Sequence, residues 1–189
     1  MLASAPAKAM DVRPLFVATG ATERAPIGWT QFCSENAREC DVEPRSPSDA
    51  RLTTPKWREL VRINTLVNTA IKPMTDMDQY GVVEKWTFPD SGYGDCEDYV
   101  LLKQKLLLEA GWPRQSLLVT VVRDQNGDGH AVLTVRTDRG EYILDNQNPD
   151  ILLWSQTEYR FVKRQAQTNP NVWVSLGDNR PAQATASSR

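Results

Sequence analysis

One cysteine in this chain stands where a thiol can be made reactive. The string Gly92-Tyr93-Gly94-Asp95-Cys96-Glu97-Asp98-Tyr99 closes an irregular, glycine-containing segment. It opens an apolar run over residues 100–108 that stops at Ala110-Gly111-Trp112-Pro113. The pattern predicts a helix with Cys96 in its first turn. A helix N-terminus offers partial positive charge and unpaired N–H groups, both of which stabilise a thiolate, so Cys96 is a candidate nucleophile. The single histidine, His130, opens the strand-like stretch 130–137, and Asp145 closes the next, 141–145. If these pair as a hairpin through a turn at 138–140, His130 lies near the open end, on the side of Asp145. The simplest register, centred on Arg139, sets Asp145 opposite Leu133, so its carboxylate reaches His130 by a diagonal contact or a bulge. Such a carboxylate fixes the imidazole tautomer, and a thiol packed against that hairpin end completes a Cys–His–Asp set for nucleophilic catalysis.

Each residue alone has a plainer reading. A cysteine at a helix start is often a small buried hydrophobe, and a lone histidine is more often a loop or surface residue than a catalyst. The joint case is stronger, because the only histidine and the only isolated cysteine both fall at element starts beside glycine turns. Asp95, Glu97 and Asp98 crowd carboxylates around the thiol, and negative charge raises a thiol pKa. Helix capping accounts for such acids, Asp98 above all; a bound cation is the other account. The stretch Asp124-Gln125-Asn126-Gly127-Asp128-Gly129 begins like a calcium loop of the EF-hand kind, but its twelfth position is Val135, an apolar residue within a strand. It reads as a turn that delivers His130.

Elements must carry these residues into register. Residues 1–25 have no periodicity and read as an extended or flexible segment. A short helix falls within residues 26–40, with Ile27, Trp29 and Phe32 facing inward. Thr54-Pro55 caps a helix whose buried face carries Trp57, Leu60, Val61, Asn64, Val67, Asn68 and Ile71, ended by Pro73. The polar segment 74–80 holds an Asp76/Asp78 pair. After the Cys96 helix the period changes from helical to strand-like: residues 116–123, 130–137 and 141–145, then weaker candidates at 151–154, 159–162 and 172–174. Short connections imply antiparallel hairpins. The fold class is α+β, with N-terminal helices and a central cysteine-bearing helix packed on an antiparallel sheet. One domain is expected over residues 26–176, with a flexible tail at 177–189.

The composition fits this. The 189 residues carry a net charge of −2, with scattered basic residues and no nucleic-acid footprint. No apolar run reaches the roughly 20 residues that span a bilayer. Cys33 and Cys40 are spaced for a local disulfide, which would mean an oxidising compartment; two free thiols in a loop are the alternative. The Ala-rich start reads as the beginning of a mature exported chain whose signal peptide is gone, hence periplasmic or secreted.

The strings Trp86-x-x-Pro89, 92–99, Gly129-His130-Ala131-Val132-Leu133 and Leu144-Asp145-Asn146 resemble the bacterial transglutaminase-like cysteine peptidases, a group that includes the periplasmic LapG-type proteases that cut surface adhesins. The resemblance runs from about Trp57 to Trp154. It implies a papain-like fold, a Cys96–His130–Asp145 triad, peptide-bond cleavage through a thioester acyl-enzyme, and calcium held by Asp95 and Glu97. It also implies a protein substrate such as an adhesin and an inner-membrane regulatory receptor. The Cys96 N–H is one candidate oxyanion donor, with Trp86 or residues 92–94 as others. The same triad would serve a transamidase, which gives the acyl group to an amine instead of water. A non-catalytic, calcium-dependent binding module is the third alternative.

Overall fold

The computed structural model describes residues 14–180. Most of both expected terminal segments therefore lies outside the described residues. Within the first, β1 (Ala18–Glu23) is an edge strand, paired with the C-terminal strand β9 (Asn169–Gly177). One antiparallel sheet of seven strands organises the molecule, in the order β1-β9-β8-β4-β5-β6-β7. Its remaining members are β4 (Leu117–Arg123), β5 (Gly129–Thr137), β6 (Gly140–Leu144), β7 (Leu152–Leu153) and β8 (Arg160–Ala166). Strand β5 lies well inside the sheet and is buried along nearly its whole length. This is the mixed, antiparallel α+β arrangement the sequence predicts.

The helices cover one face. Helix α1 (Ile27–Glu35) and the single turn α2 (Ala37–Cys40) come first, then α3 (Thr54–Ala70). Trp29 and Phe32 turn inward as expected, but Ile27 is 69% exposed. The neighbouring Gly28 instead lies flat against Trp86, where a Cβ would come within 2.2 Å of the ring. Cys33 and Cys40 form a disulfide joining the ends of α1 and α2. Helix α3 starts at Thr54, the expected cap, so the cap itself lies one residue earlier, with the Thr53 hydroxyl accepting from the Lys56 N–H at 3.4 Å. Its buried face is Leu60, Ile63, Asn64 and Val67. Val61 faces solvent and Ile63 takes its place, being three residues from Leu60 and four from Val67. Helix α5 (Cys96–Glu109) packs between α3 and strand β5.

The β5–β6 hairpin departs from the expected register by one residue. Leu133 pairs with Leu144 and Thr137 with Gly140, so the turn is two residues, Asp138-Arg139. Gly140 takes a φ of 119°, which a side chain would strain. The change matters because successive strand residues face opposite sides of a sheet. Had Asp145 stood opposite Leu133, it would point away from His130. Continuing the observed pairing one step past Leu144 sets it opposite Val132, on the face of His130.

Candidate active site

The site is built where the start of α5 meets the start of β5. Before it, β2 (Lys72–Pro73) and β3 (Tyr93–Gly94) pair in parallel and fix the approach of the chain. Tyr99, in the first turn of α5, donates its hydroxyl to the Ile71 carbonyl at 2.8 Å, tying α5 to the end of α3. Gly94 permits the tight entry, since a Cβ there would lie 2.6 Å from Asp98 Oδ2. Asp98 is fully buried; its Oδ1 accepts the Thr87 N–H at 2.9 Å and the carboxylate also faces the Asp95 N–H. Its other oxygen, Oδ2, is buried without a hydrogen-bond partner among the described residues.

Cys96 is the free cysteine among the described residues and is partly buried. Its sulfur lies by the Ala131 N–H, one residue past His130, and is hydrogen-bonded to Glu97 Oε2 at 3.2 Å. Burial first, and the Glu97 carboxylate second, hold the thiol well above its usual pKa. His130 and Asp145 are brought together as a buried pair, Nε2 to Oδ1 at 2.9 Å. Burial works to raise the Asp145 pKa, but hydrogen bonds from His130 and Tyr159 outweigh it and leave the group below the usual carboxylate range. An ionised Asp145 makes Nε2–H the donor and leaves Nδ1 as the basic nitrogen. Gln147 Nε2 approaches that nitrogen at 3.4 Å.

Two residues that sequence reasoning missed complete the shell around the pair. Tyr159, just before β8, donates its hydroxyl to Asp145 Oδ2 at 2.5 Å, and its ring stands 5.2 Å from the imidazole. Gln147 donates its backbone N–H to Asp145 Oδ1 at 3.0 Å. A cavity of about 480 Å³ opens beside Asp145, Gln147 and Tyr159. Trp86 is not an oxyanion donor: its indole N–H goes to Glu84 Oε1 at 2.5 Å, and its ring packs against Trp29 and Trp173.

A second cluster adjoins the thiol. Asp76, the first residue of helix α4 (Asp76–Tyr80), turns inward beside Asp95 and Glu97, and one oxygen from each lies within 4.8 Å of the others. Asp76 accepts the Lys85 N–H, whereas Asp78 points to solvent and serves the Thr75 cap. Burial, then the neighbouring Asp95, push Glu97 up to about 9. Asp95 Oδ1 is buried with no hydrogen-bond partner among the described residues. Oxygen-only ligands, mutually repelling and partly unpaired, fit a hard divalent cation. The Asp124 loop is no such site: Asp124 Oδ1 accepts the Asn126 and Asp128 N–H groups at 2.8 and 2.9 Å, closing the β4–β5 turn.

The family described as bacterial transglutaminase-like cysteine proteinase (BTLCP) matches residues 19–181. Comparison with curated proteins finds no match. Among solved structures the chain is similar to Legionella pneumophila LapG, with a TM-score of 0.53 and 24% identity over 62% of this chain and 68% of that one. The calcium-bound form of that protein gives 0.56 and 23% over 72% and 76%. Its EGTA-treated form gives 0.53 and 24% over 66% and 73%. At these identities the structural likeness speaks for the fold.

Proposed function

The chain belongs to the bacterial transglutaminase-like cysteine proteinases, and from that premise we propose that it hydrolyses peptide bonds of exported or surface proteins through Cys96, His130 and Asp145. The observation that carries this reading is the buried His130–Asp145 pair at 2.9 Å, with the Cys96 sulfur beside the backbone of the next residue, Ala131. His130 Nδ1 takes the thiol proton, and the sulfur attacks the substrate carbonyl carbon. The Cys96 N–H, at the first position of α5 and so without an intrahelical acceptor, donates to the oxyanion. The imidazolium returns its proton to the leaving amine as the C–N bond breaks and a thioester forms. Water, deprotonated by His130, then attacks the thioester and releases the thiol. Asp145 stays ionised throughout and holds the ring.

Asp76, Asp95 and Glu97 are the residues that would hold calcium, as the calcium-bound LapG neighbour and the unpartnered Asp95 oxygen favour. Calcium there would supply positive charge against the carboxylates that raise the Cys96 pKa. The Cys33–Cys40 disulfide favours a periplasmic or other oxidising compartment, and a surface adhesin is the proposed substrate, with an inner-membrane receptor as regulator. Among the described residues no helix is long and apolar enough to cross a membrane.

The test is cleavage of candidate exported proteins by the parent chain and by Cys96→Ala. Loss of cleavage is expected, and unchanged cleavage by the variant overturns the peptidase reading. Titration calorimetry of chelator-treated protein is expected to show heat on adding Ca²⁺; none would remove calcium from the proposal.

A further inference from the structure

Tyr159 reaches the Asp145 carboxylate from a stretch with no regular structure: residues 157–159 lie between the 3-10 turn Trp154–Gln156 and the start of β8. Backbone groups outside helices and strands need other partners to hold one conformation. Arg180, just after β9, supplies them. Its Nη1 donates to the Trp154 carbonyl at 3.1 Å and to the Thr157 carbonyl at 2.8 Å, and its Nη2 donates to the Tyr159 carbonyl. Asp178 takes the other two donors, Nε at 2.8 Å and Nη2 at 2.7 Å, so all five N–H groups of the guanidinium have acceptors. The guanidinium also lies over the Trp154 and Phe161 rings, 4.8 and 5.5 Å from their centroids. The far side of this clasp is fastened to the start of β8: Asp178 Oδ2 accepts the Phe161 N–H at 3.2 Å, and Arg160 Nη1 donates to the Arg180 carbonyl at 2.6 Å.

We propose that Arg180 is a positioning residue for the His130–Asp145 pair and acts through Tyr159: by holding the Thr157 and Tyr159 carbonyls it sets the tyrosine hydroxyl against Asp145. The proposal rests on the Cys96–His130–Asp145 reading above. The path from guanidinium to imidazole is continuous. Arg180 holds the Tyr159 backbone, and the Tyr159 hydroxyl donates to Asp145 Oδ2 at 2.5 Å. Asp145 Oδ1 is 2.9 Å from His130 Nε2, and the Tyr159 ring stands 5.2 Å from the imidazole, so the same tyrosine meets both members of the pair. Asp145 keeps the Gln147 N–H whatever happens at Tyr159, so release of the clasp displaces the pair without dismantling it. Lysine would keep a charge beside Asp178, but it has no planar fork to serve three carbonyls and a carboxylate together.

The test is a double-mutant cycle between Arg180→Ala and Tyr159→Phe, read in two ways. In urea unfolding at neutral pH, Tyr159→Phe is expected to lower the midpoint of the parent chain, and to lower that of Arg180→Ala by about half as much or less, because the hydroxyl is no longer held to Asp145. In cleavage of an exported protein that the parent cuts, each single variant is expected to lower kcat by on the order of tenfold, with KM within about twofold. The double variant is expected to lose little more than either alone, since both changes interrupt one path. Arg180→Lys is expected to show the same coupling and the same loss of kcat, and serves if the alanine variant does not fold. Additive effects in either cycle, or a loss confined to KM, overturn the proposal and leave Arg180 a structural clasp. The unfolding cycle needs no turnover, so its failure is separate from a failure of the Cys96→Ala cleavage test.

Discussion

Asp145 accepts hydrogen bonds on both carboxylate oxygens. Oδ1 accepts from His130 and the Gln147 N–H, and Oδ2 accepts from Tyr159. Because its folded pKa is depressed, it contributes stability above its unfolded pKa and loses it as pH falls through the folded value. Tyr159→Phe removes the donor to Oδ2 and leaves a buried lone pair unsatisfied, at a cost of about 1–3 kcal/mol. Urea unfolding at neutral pH is expected to show that loss, and the gap between parent and variant is expected to shrink in acid as Asp145 protonates. A gap independent of pH would deny that the hydroxyl serves the ionised carboxylate. Of these residues, the sequence made Cys96, His130 and Asp145 visible, because one free thiol, one histidine and a strand-end acid stand out by scarcity and position. Tyr159 and Gln147 carried no such mark. Their significance lies in a tertiary neighbour, and a tyrosine before a strand has no periodicity that names its partner.

The elements were legible to within a residue, and the residue sometimes mattered. The simplest register centres the β5–β6 turn on Arg139, and the actual two-residue turn is what sets Asp145 on the face of His130. Nothing in the local composition chooses between those turns; the burial of both sheet faces does. Helix α4 shows the same limit: Asp76 and Asp78 look alike in sequence, yet Asp76 is buried beside α5 while Asp78 caps its own helix. Bringing α4 to α5 packs carboxylates together, with Glu97 at about 9 and Asp98 at about 7. Acids whose folded pKa is raised bind protons better folded than unfolded. Chelator-treated protein should therefore lose stability as pH rises from about 4.3, the unfolded glutamate value, through those values. Calcium should restore most where the carboxylates are charged. Thermal unfolding at pH 5 and pH 8, with Ca²⁺ and with chelator, is expected to show a larger calcium-induced rise in Tm at pH 8, and Asp76→Asn is expected to diminish it. An equal rise at both values would contradict this electrostatic account.

At the scale of the molecule, one buried acid joins segments far apart in sequence. Glu141, in β6, forms ion pairs with Arg136 of β5 at 2.6 Å and with Arg164 of β8 at 2.9 Å. Its other oxygen accepts the Val17 N–H at 3.2 Å, and its own N–H donates to the Leu15 carbonyl at 3.0 Å. The segment leading into β1 is thereby fastened across the sheet. Arg136 has a second partner in Asp49 at 2.8 Å. Arg164 is almost completely buried, and burial is the leading influence on it, pulling its pKa down against the pull of Glu141. Glu141→Gln would leave that guanidinium buried without its counter-charge, and breaking a buried pair from one side costs about 3–5 kcal/mol. For a chain of this length the loss corresponds to a fall in Tm on the order of 10 °C. Arg62→Ala is the control. Its pair with Glu59 spans 4.0 Å with the arginine 64% exposed, and such surface pairs are worth about 0–1 kcal/mol. Differential scanning calorimetry of both variants separates the two cases. Similar small shifts would mean that packing, not the Glu141 ion cluster, fastens the sheet to the chain's N-terminal strand. Because His130 lies at the other end of β5 from Arg136, Glu141→Gln is expected to leave the cleavage rate of the folded fraction unchanged.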